Sequence, residues 1–285
     1  MNRSRQLYVF LTPGVVILIV LTVSLFGFKS ELYAAGAAKK IRIGGTGTAL
    51  ATMKLLGEQF RKKHPDITIA VLPSLGSSGG IKALLGGELD IAISYREPSG
   101  DEQNKGLASI EYAKTPFVFL THKTNILSNI TLQEVADIYN GKTITWPDDT
   151  PVRLILRPAG EANTKILQSI SEDMNRAVQN SFKRSGLNIA VNDQENVDLI
   201  ERLPGSFGAG SLCQLISEKR TLNILSLNGV KPSVRTLADG TYPYFKDLYI
   251  ITGPRSSPLA RQFIDFVFSP SGRSILGKTG HLVTR

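Results

Sequence analysis

Short apolar strands alternate with amphipathic helices along most of this chain, and this alternation limits the folds open to it. Strands are predicted at 40–43, 67–71 and 90–94, and helices at 50–60 and 81–85, where apolar residues recur on one face. Repetition of strand, helix and strand implies parallel pairing with right-handed crossovers. The first half of the chain therefore predicts an α/β architecture.

The second half continues the alternation with different turn signals. Strands are predicted at 117–120, 152–156 and 249–251, and helices at 131–139, from about 162, at 259–268 and from 270. The glycine-rich segment 205–210 is predicted to be a flexible turn. No change of composition separates consecutive domains, so an arrangement of two lobes that exchange strands is favoured.

The first 37 residues carry a targeting signal. Arg3 and Arg5 precede an uncharged, mostly apolar run of 22 residues over 7–28, and small residues follow at 34–37. This order is typical of a secretory signal peptide, with cleavage expected after Ala37. The run is also long enough to span a bilayer, so an uncleaved anchor with its basic end in the cytoplasm is the alternative. Either way, the globular part is expected outside the cytoplasm.

Charge and cysteine content narrow the possible partners. The formal net charge of +9 fits an anionic ligand, an anionic membrane surface or nucleic acid. The basic residues are scattered without an aromatic-interleaved stripe, which argues against nucleic acid. The single Cys213 excludes an intrachain disulfide and is predicted to be a small buried hydrophobe. His64, His122 and His281 stand far apart and are expected at the surface or at caps, so neither a metal nor a cofactor is predicted.

Three loops join a predicted strand to the following helix, which is where open α/β sheets bind ligands. They span 44–48, 74–80 and 157–164. Their glycines let backbone amides approach a ligand, their hydroxyls add neutral donors, and the N-H groups of the next helix favour negative charge. Arg157 adds a fork of donors that suits an oxyanion. The loops predict a small-anion site, although glycine-rich turns also occur for packing reasons alone.

Two other classes of site fit these loops poorly. No Gly-Lys-Ser/Thr follows any of them, and the first lacks the third glycine of a dinucleotide fingerprint, so nucleotide binding is not expected. Ser78 satisfies a Gly-x-Ser-x-Gly spacing, but only His122 or His281 follows it as a base. A hydrolase is therefore a minor hypothesis, and no catalytic residue is assigned.

With these loops, the chain resembles the periplasmic phosphate-binding protein family, whose members have the type II periplasmic-binding fold and serve ABC importers. The resemblance covers nearly all of the chain beyond residue 37. Its matching segments are 76–82 continuing to 90–94, 132–142 with Trp146, 204–208, and 263–269 with Gly272 and Gly280.

The resemblance implies two α/β lobes joined by two crossover strands. Residues 38–115 and 246–285 would form the first lobe, and residues 116–245 the second. The crossovers would fall near 113–117 and near 244–248. Such a protein is expected to be a monomer that docks on an ABC-transporter permease in the membrane.

The resemblance also implies ligand contacts. Ser77 falls on a ligand-contacting serine, Arg157 on the ligand arginine, and residues 46–50 on the first anion-contacting loop. Two acidic positions of the phosphate pattern fall instead on Tyr95 and Ala159. Losing both acids removes acceptors that distinguish protonated phosphate from sulfate.

Glu161 stands in the donor loop that usually reads Gly-Ser-Gly-Thr and here reads Gly-Glu-Ala-Asn. Its carboxylate could accept a proton from phosphate, repel a dianion, or cap the helix and point to solvent. These three alternatives stay open. Arg96, a further possible contact, could instead form a surface ion pair with Glu97 or Asp101.

The predicted ligand-binding residues come from both lobes. They are Thr46, Gly47, Thr48, Gly76, Ser77, Ser78, Ser94, Arg96, Arg157, Glu161, Asn163 and Thr164. The expected function is capture of phosphate or a similar small oxyanion outside the cytoplasm for an ABC transporter. The alternative is a membrane-anchored sensor or interaction protein of the same fold that binds a non-phosphate ligand.

Overall fold

The structure is a computed structural model that describes residues 39–284. The predicted signal peptide or anchor at 1–37 lies outside the described residues. Within 39–284, no helix combines the length and apolar character needed to cross a membrane.

The strands of the described region are short, apart from two long ones. They are β1 Lys39–Gly45, β2 Ile67–Val71, β3 Ile91–Ser94, β4 Ala108–His122, β5 Asn129–Ile130, β6 Arg153–Leu156, β7 Asn188–Ile189, β8 Ser206–Ser211, β9 Leu222–Ile224, β10 Ser226–Leu227, β11 Phe245–Thr252 and β12 Leu282–Val283.

Helices follow most of the strands. They are α1 Gly47–Arg61, α2 Gly76–Gly86, α3 Gly100–Asn104, α4 Leu132–Asn140, α5 Ala162–Ile170, α6 Glu172–Ser181, α7 Asp193–Arg202, α8 Leu212–Ser217, α9 Val234–Ala238, α10 Pro258–Phe268 and α11 Pro270–Lys278.

The main sheet has the strand order β2-β1-β3-β11-β4-β8-β6-β7, with β9 and β12 also paired to β4. Pairing is parallel between β1 and β3 and between β6 and β8, as the alternation of strands and helices predicts. The long strands β4 and β11 run antiparallel to each other. β5 and β10 form a separate two-stranded sheet.

The long strand β4 connects the two halves of the sheet. It pairs with β11 over Ala108–Pro116 and with β8 over Phe117–Thr121. The mixed α/β sheet with two connecting strands is the fold expected of a type II periplasmic-binding protein, so the predicted fold class is confirmed. The lobe limits at 115/116 and 245/246 fall within or at the start of these strands and stay a prediction.

Each end of the sheet has its own hydrophobic core. At the first end, Phe60 packs edge-on against Phe263, with ring centroids 5.5 Å apart, in a core that includes Ile41. At the other end, Phe119 and Phe207 stack with centroids 5.9 Å apart in a second core. Burial of such large side chains gives each end its own stabilising interior.

Three local predictions were wrong. Gly76–Gly80 begins α2, because Gly80 lies so close to β1 that a Cβ would be 2.6 Å from Gly45 Cα, and glycine alone permits this packing. The segment predicted as a turn at 205–210 is mostly strand β8, whose residues are all buried. The long helix predicted from Ala162 is two helices, because Ser171 is extended and caps the second.

Candidate functional site

The first part of the site is the junction between β1 and α1. Thr46 is the N-cap of α1, yet its hydroxyl makes no capping bond within the helix. Instead, Thr46 Oγ1 donates to Asp193 Oδ2 at 3.3 Å, and the backbone N-H of Thr48 donates to the same oxygen at 3.0 Å. Both threonines are buried. The start of α1 therefore binds a carboxylate from another part of the chain, as a helix N-terminus favours.

The start of α2 and the end of β3 lie beside this junction. Ser77 is buried, and its Oγ accepts a hydrogen bond from the N-H of Tyr95 at 3.0 Å. Ser94 Oγ donates to the carbonyl of Arg96 at 2.6 Å. Ser77 thus links the start of α2 to the end of β3, whereas Ser94 fixes the turn that follows β3.

Arg157 is the first residue of the loop after β6 and is buried. Its Nη1 donates to the carbonyl of Ala190 at 2.5 Å, and its Nη2 donates to Glu161 Oε2 at 3.1 Å. The same Nη2 lies 3.9 Å from Asp193 Oδ1. Arg157 Nε is buried and has no hydrogen-bond partner among residues 39–284. The arginine fork thus faces two carboxylates.

Asn163 and Thr164 lie in the first turn of α5 and are buried. Thr164 Oγ1 donates to the carbonyl of Arg157 at 3.0 Å, and Asn163 Nδ2 donates to the carbonyl of Ala209 at 2.9 Å. Thr164 therefore fixes the backbone at Arg157, and Asn163 ties the start of α5 to β8.

Glu161 is the N-cap of α5, but its side chain makes no capping bond. It pairs with Arg157, and its Oε1 lies 3.8 Å from the position that a Cβ would take on Gly76. The alternative that it caps the helix is therefore wrong. The carboxylate neutralises Arg157 at the edge of the site.

Arg96 contacts Ser78 and an acidic residue of α3. The guanidinium of Arg96 binds both carboxylate oxygens of Glu102, at 2.8 and 3.0 Å, and donates to Ser78 Oγ at 3.4 Å. This guanidinium lowers the pKa of Glu102 to about 2. The ion-pair partner is thus Glu102, where the sequence suggested Glu97 or Asp101.

Two buried charged residues were missed by the sequence reasoning, namely Asp193 and Lys246. Lys246 Nζ donates to Thr48 Oγ1 at 3.1 Å and lies 4.0 Å from Asp193 Oδ1. Burial lowers the pKa of the Lys246 ammonium, and the nearby Asp193 opposes that shift. One signal could have drawn attention to Lys246, because it lies in a predicted crossover strand, but Lys114 in the other crossover strand is partly exposed, so position alone does not predict burial. Asp193 carried no such local signal.

The structure therefore brings part of the predicted set together. Thr46, Thr48 and Arg157 meet around Asp193, and Glu161 joins them through Arg157. Two cations, Arg157 and Lys246, face two carboxylates, Asp193 and Glu161. The resulting cluster of hydrogen-bond donors and paired charges can bind an oxyanion when the carboxylates leave room for it.

A groove of about 580 Å³ opens beside this cluster. Ser74 and Gln194, which line it, also lie against Gly47. A Cβ on Gly47 would collide with Gln194 Oε1 and would lie 2.9 Å from both Asp193 Cβ and Ser74 Oγ. Glycine at this position is required because the two parts of the chain approach so closely.

The histidines are placed differently from the sequence-based expectation. His281 is fully buried, and burial lowers its pKa to about 4, while His122 is buried beside Thr124. The surface position expected for them is therefore wrong for both, although His122 Nδ1 caps a turn by accepting from the backbone N-H of Thr124 at 3.3 Å, as the capping alternative expected. Across residues 39–284, no histidine is hydrogen-bonded to Ser78, and no group of three or more potential ligands is placed to hold a metal.

Cys213 is buried, as predicted, and its Sγ donates to the carbonyl of Thr48 at 3.4 Å. Burial raises the pKa of its thiol to about 12. A thiol that stays protonated at neutral pH is a poor nucleophile. The cysteine therefore packs beneath the start of α1.

A two-lobe α/β fold with a buried cluster of donors between its ends defines a class of ligand-binding proteins. The sequence profile of the PBP superfamily domain matches residues 33–271, and the chain belongs to this superfamily.

Known relatives agree with this membership. The chain is 26% identical over 253 residues to a phosphate-binding protein PstS of Borreliella burgdorferi, covering 86% of this chain and 90% of that protein. It is 23% identical to the PstS of Bacillus subtilis, covering 89% and 83%. A putative phosphate ABC transporter substrate-binding protein from Clostridium perfringens, solved with bound phosphate, superposes with a TM-score of 0.73 at 23% identity, covering 87% of this chain and all of that one.

Proposed function

We propose that this protein binds phosphate or a similar small oxyanion outside the cytoplasm and delivers it to an ABC-transporter permease. The ligand would lie among the start of α1, the start of α2 and the Arg157 fork. Closure of the lobes would exclude water and strengthen each hydrogen bond to the anion. No covalent step is part of this function.

One observation carries the proposal: donors from distant parts of the chain converge on a single carboxylate. Thr46 Oγ1 and Thr48 N bind it directly, and the cationic groups of Arg157 and Lys246 lie within 4.0 Å of it. A carboxylate is itself a small oxyanion, so these groups are suited to recognise one. The names of the PstS relatives support phosphate as the first ligand to test.

The proposal also includes the organisation and location of the protein. Residues 38–115 with 246–285 would form one lobe and 116–245 the other, with β4 and β11 as the hinge strands. The leader at 1–37 would export the chain or anchor it at the membrane, and the monomer would dock on its permease. The basic start, apolar run and small residues of this leader support export from the cytoplasm.

Thermal unfolding with added anions tests the proposal. A ligand at 100 times its dissociation constant stabilises a protein by about 2.7 kcal/mol, which raises the melting temperature measurably. Phosphate, sulfate, molybdate, tungstate and several organic anions would be compared. Absence of a shift with every inorganic oxyanion contradicts the proposal, and a shift with an organic anion alone favours the sensor alternative.

A matched pair of arginine variants locates the site. Arg157→Gln removes the buried charge and should abolish the phosphate-induced shift. Arg153→Gln is the control, because Arg153 begins the strand β6 that leads to Arg157, is exposed, and donates to the carbonyl of Pro204. An equal phosphate shift in both variants would remove Arg157 from the site.

A further inference from the structure

The carboxylate of Asp193 occupies the hydrogen-bond donors that are proposed to bind the anion. Its Oδ2 accepts hydrogen bonds from Thr48 N at 3.0 Å and from Thr46 Oγ1 at 3.3 Å. Its Oδ1 lies 3.9 Å from Arg157 Nη2 and 4.0 Å from Lys246 Nζ. The Asp193 carboxylate has two oxygens that share one negative charge. It therefore offers these donors the same two acceptors that a bound oxyanion would offer.

This carboxylate also joins the two ends of the sheet. Asp193 begins α7, which follows the strands of the second end, whereas Thr46 and Thr48 begin α1 at the first end. A second bond runs beside it, from Gln194 Nε2 to the carbonyl of Gly47 at 3.0 Å. A buried link between the two ends is thus made by groups of the chain itself.

Charge around the site is already balanced. Arg157 is paired with Glu161 at 3.1 Å and faces Asp193, and Lys246 faces Asp193. A dianion added without any rearrangement would lie beside two carboxylates in a buried region, where like charges repel strongly. The groups that now bind or face Asp193 therefore become available to an external anion only when the Asp193 carboxylate moves away from them.

We propose that Asp193 is an intramolecular competitor, whose carboxylate takes the place of an oxyanion and holds the cleft closed without ligand. An external oxyanion binds by displacing this side chain from Thr46, Thr48 and the two cations. Asp193 is thus an affinity-determining residue of the site. This inference rests on the proposed function and adds to it the expectation that the anion binds less tightly than the donors alone would allow.

Calorimetric titration of the full-length chain tests the competitor role, with inorganic phosphate and sulfate as probes. Asp193→Asn keeps the side-chain shape and removes the charge, so it should bind phosphate about tenfold more tightly than the wild type, or better. Asp193→Ser, with a shorter neutral side chain, gives an independent second variant. Circular dichroism confirms that each variant is folded.

Asp198→Asn is the matched control. Asp198 lies on the same helix, is half-exposed and pairs with Arg220, so its neutralisation changes the net charge equally, away from the site. Its affinity should equal that of the wild type. An equal gain in this control would assign the effect to overall charge and overturn the proposal.

Each remaining outcome is decisive. Phosphate binding by the Asp193 variants that is equal to or weaker than wild-type binding overturns the competitor role and leaves the proposed function intact. Binding seen only in the Asp193 variants supports the competitor role and contradicts phosphate capture by the wild type. No binding of either anion by any of the proteins overturns the proposed function and the competitor role together.

Small-angle scattering of the wild type gives a test that needs no variant. If Asp193 holds the cleft closed, the radius of gyration without anion should match the value at saturating phosphate. A radius of gyration that falls when phosphate is added would show that closure requires the ligand, and it would overturn the proposal.

Discussion

Acidification is expected to destabilise the fold through His281. This side chain is fully buried, its Nδ1 lies 3.1 Å from Thr279 Oγ1, and its Nε2 has no hydrogen-bond partner among the described residues. Burial lowers its pKa from 6.5 to about 4. The imidazole is therefore neutral in the native protein at pH values where the unfolded chain is protonated.

The sign and size of the effect follow from this difference. Because the native pKa lies below the unfolded value, the unfolded state binds the proton first as the pH falls. Full stability is present above pH 6.5 and is lost progressively toward pH 4. Each pKa unit corresponds to about 1.4 kcal/mol, so the free energy of unfolding should drop by about 2.5 kcal/mol between pH 7 and pH 4.5.

Urea unfolding at these two pH values measures the drop. His281→Asn can keep a bond to Thr279 but cannot be protonated, so its free energy of unfolding should fall by about 2.5 kcal/mol less than that of the wild type. All other titrating groups are shared by the two proteins and cancel in the comparison. An equal pH dependence in wild type and variant would refute the assignment to His281.

Three further changes probe the site and its scaffold. Lys246→Met removes a buried cation beside the anion position, so calorimetry should show phosphate affinity about tenfold lower or worse; unchanged affinity would exclude Lys246 from the site. Gly47→Ala should weaken phosphate binding, because its Cβ would prevent the close approach of Asp193 and Gln194 to the start of α1. Gly100→Ala is the control in the same titration and should bind normally, because Gly100 also begins a helix but has nothing within 4 Å of a Cβ. Phe207→Ala removes a fully buried ring stacked on Phe119 and should cost about 3–5 kcal/mol in urea unfolding; a loss below about 1 kcal/mol would contradict the packing described for the second core.

Helices and strands could be predicted from the local sequence where contacts between nearby residues determine them. The predicted helix at 131–139 opens with a capping box, with Thr131 Oγ1 accepting from Glu134 N and Glu134 Oε2 accepting from Thr131 N. The same helix ends at Gly141 in the left-handed conformation, as the Asn-Gly pair predicts. Such features depend on residues only a few positions apart.

The predictions from local sequence were wrong for segments whose conformation depends on residues far away in the chain. Gly208 and Gly210 read as turn residues, yet they lie in a strand because Ile200 and Leu120 fill the space that their side chains would take. The first turns of α2 read as a loop, yet they are helical where Gly80 packs against β1. In both cases tertiary packing overrides a weak local preference.

The sequence by itself determined the α/β class, the superfamily resemblance, and the donor loops around Thr46, Ser77 and Arg157. Only the tertiary structure decided what those donors bind. Asp193 and Lys246 reach Thr48 from 145 and 198 residues away along the chain, and no local pattern encodes contacts of that separation. The physical reason is that a buried charge is tolerated only where folding brings its partners to it, so its role depends on the assembled site.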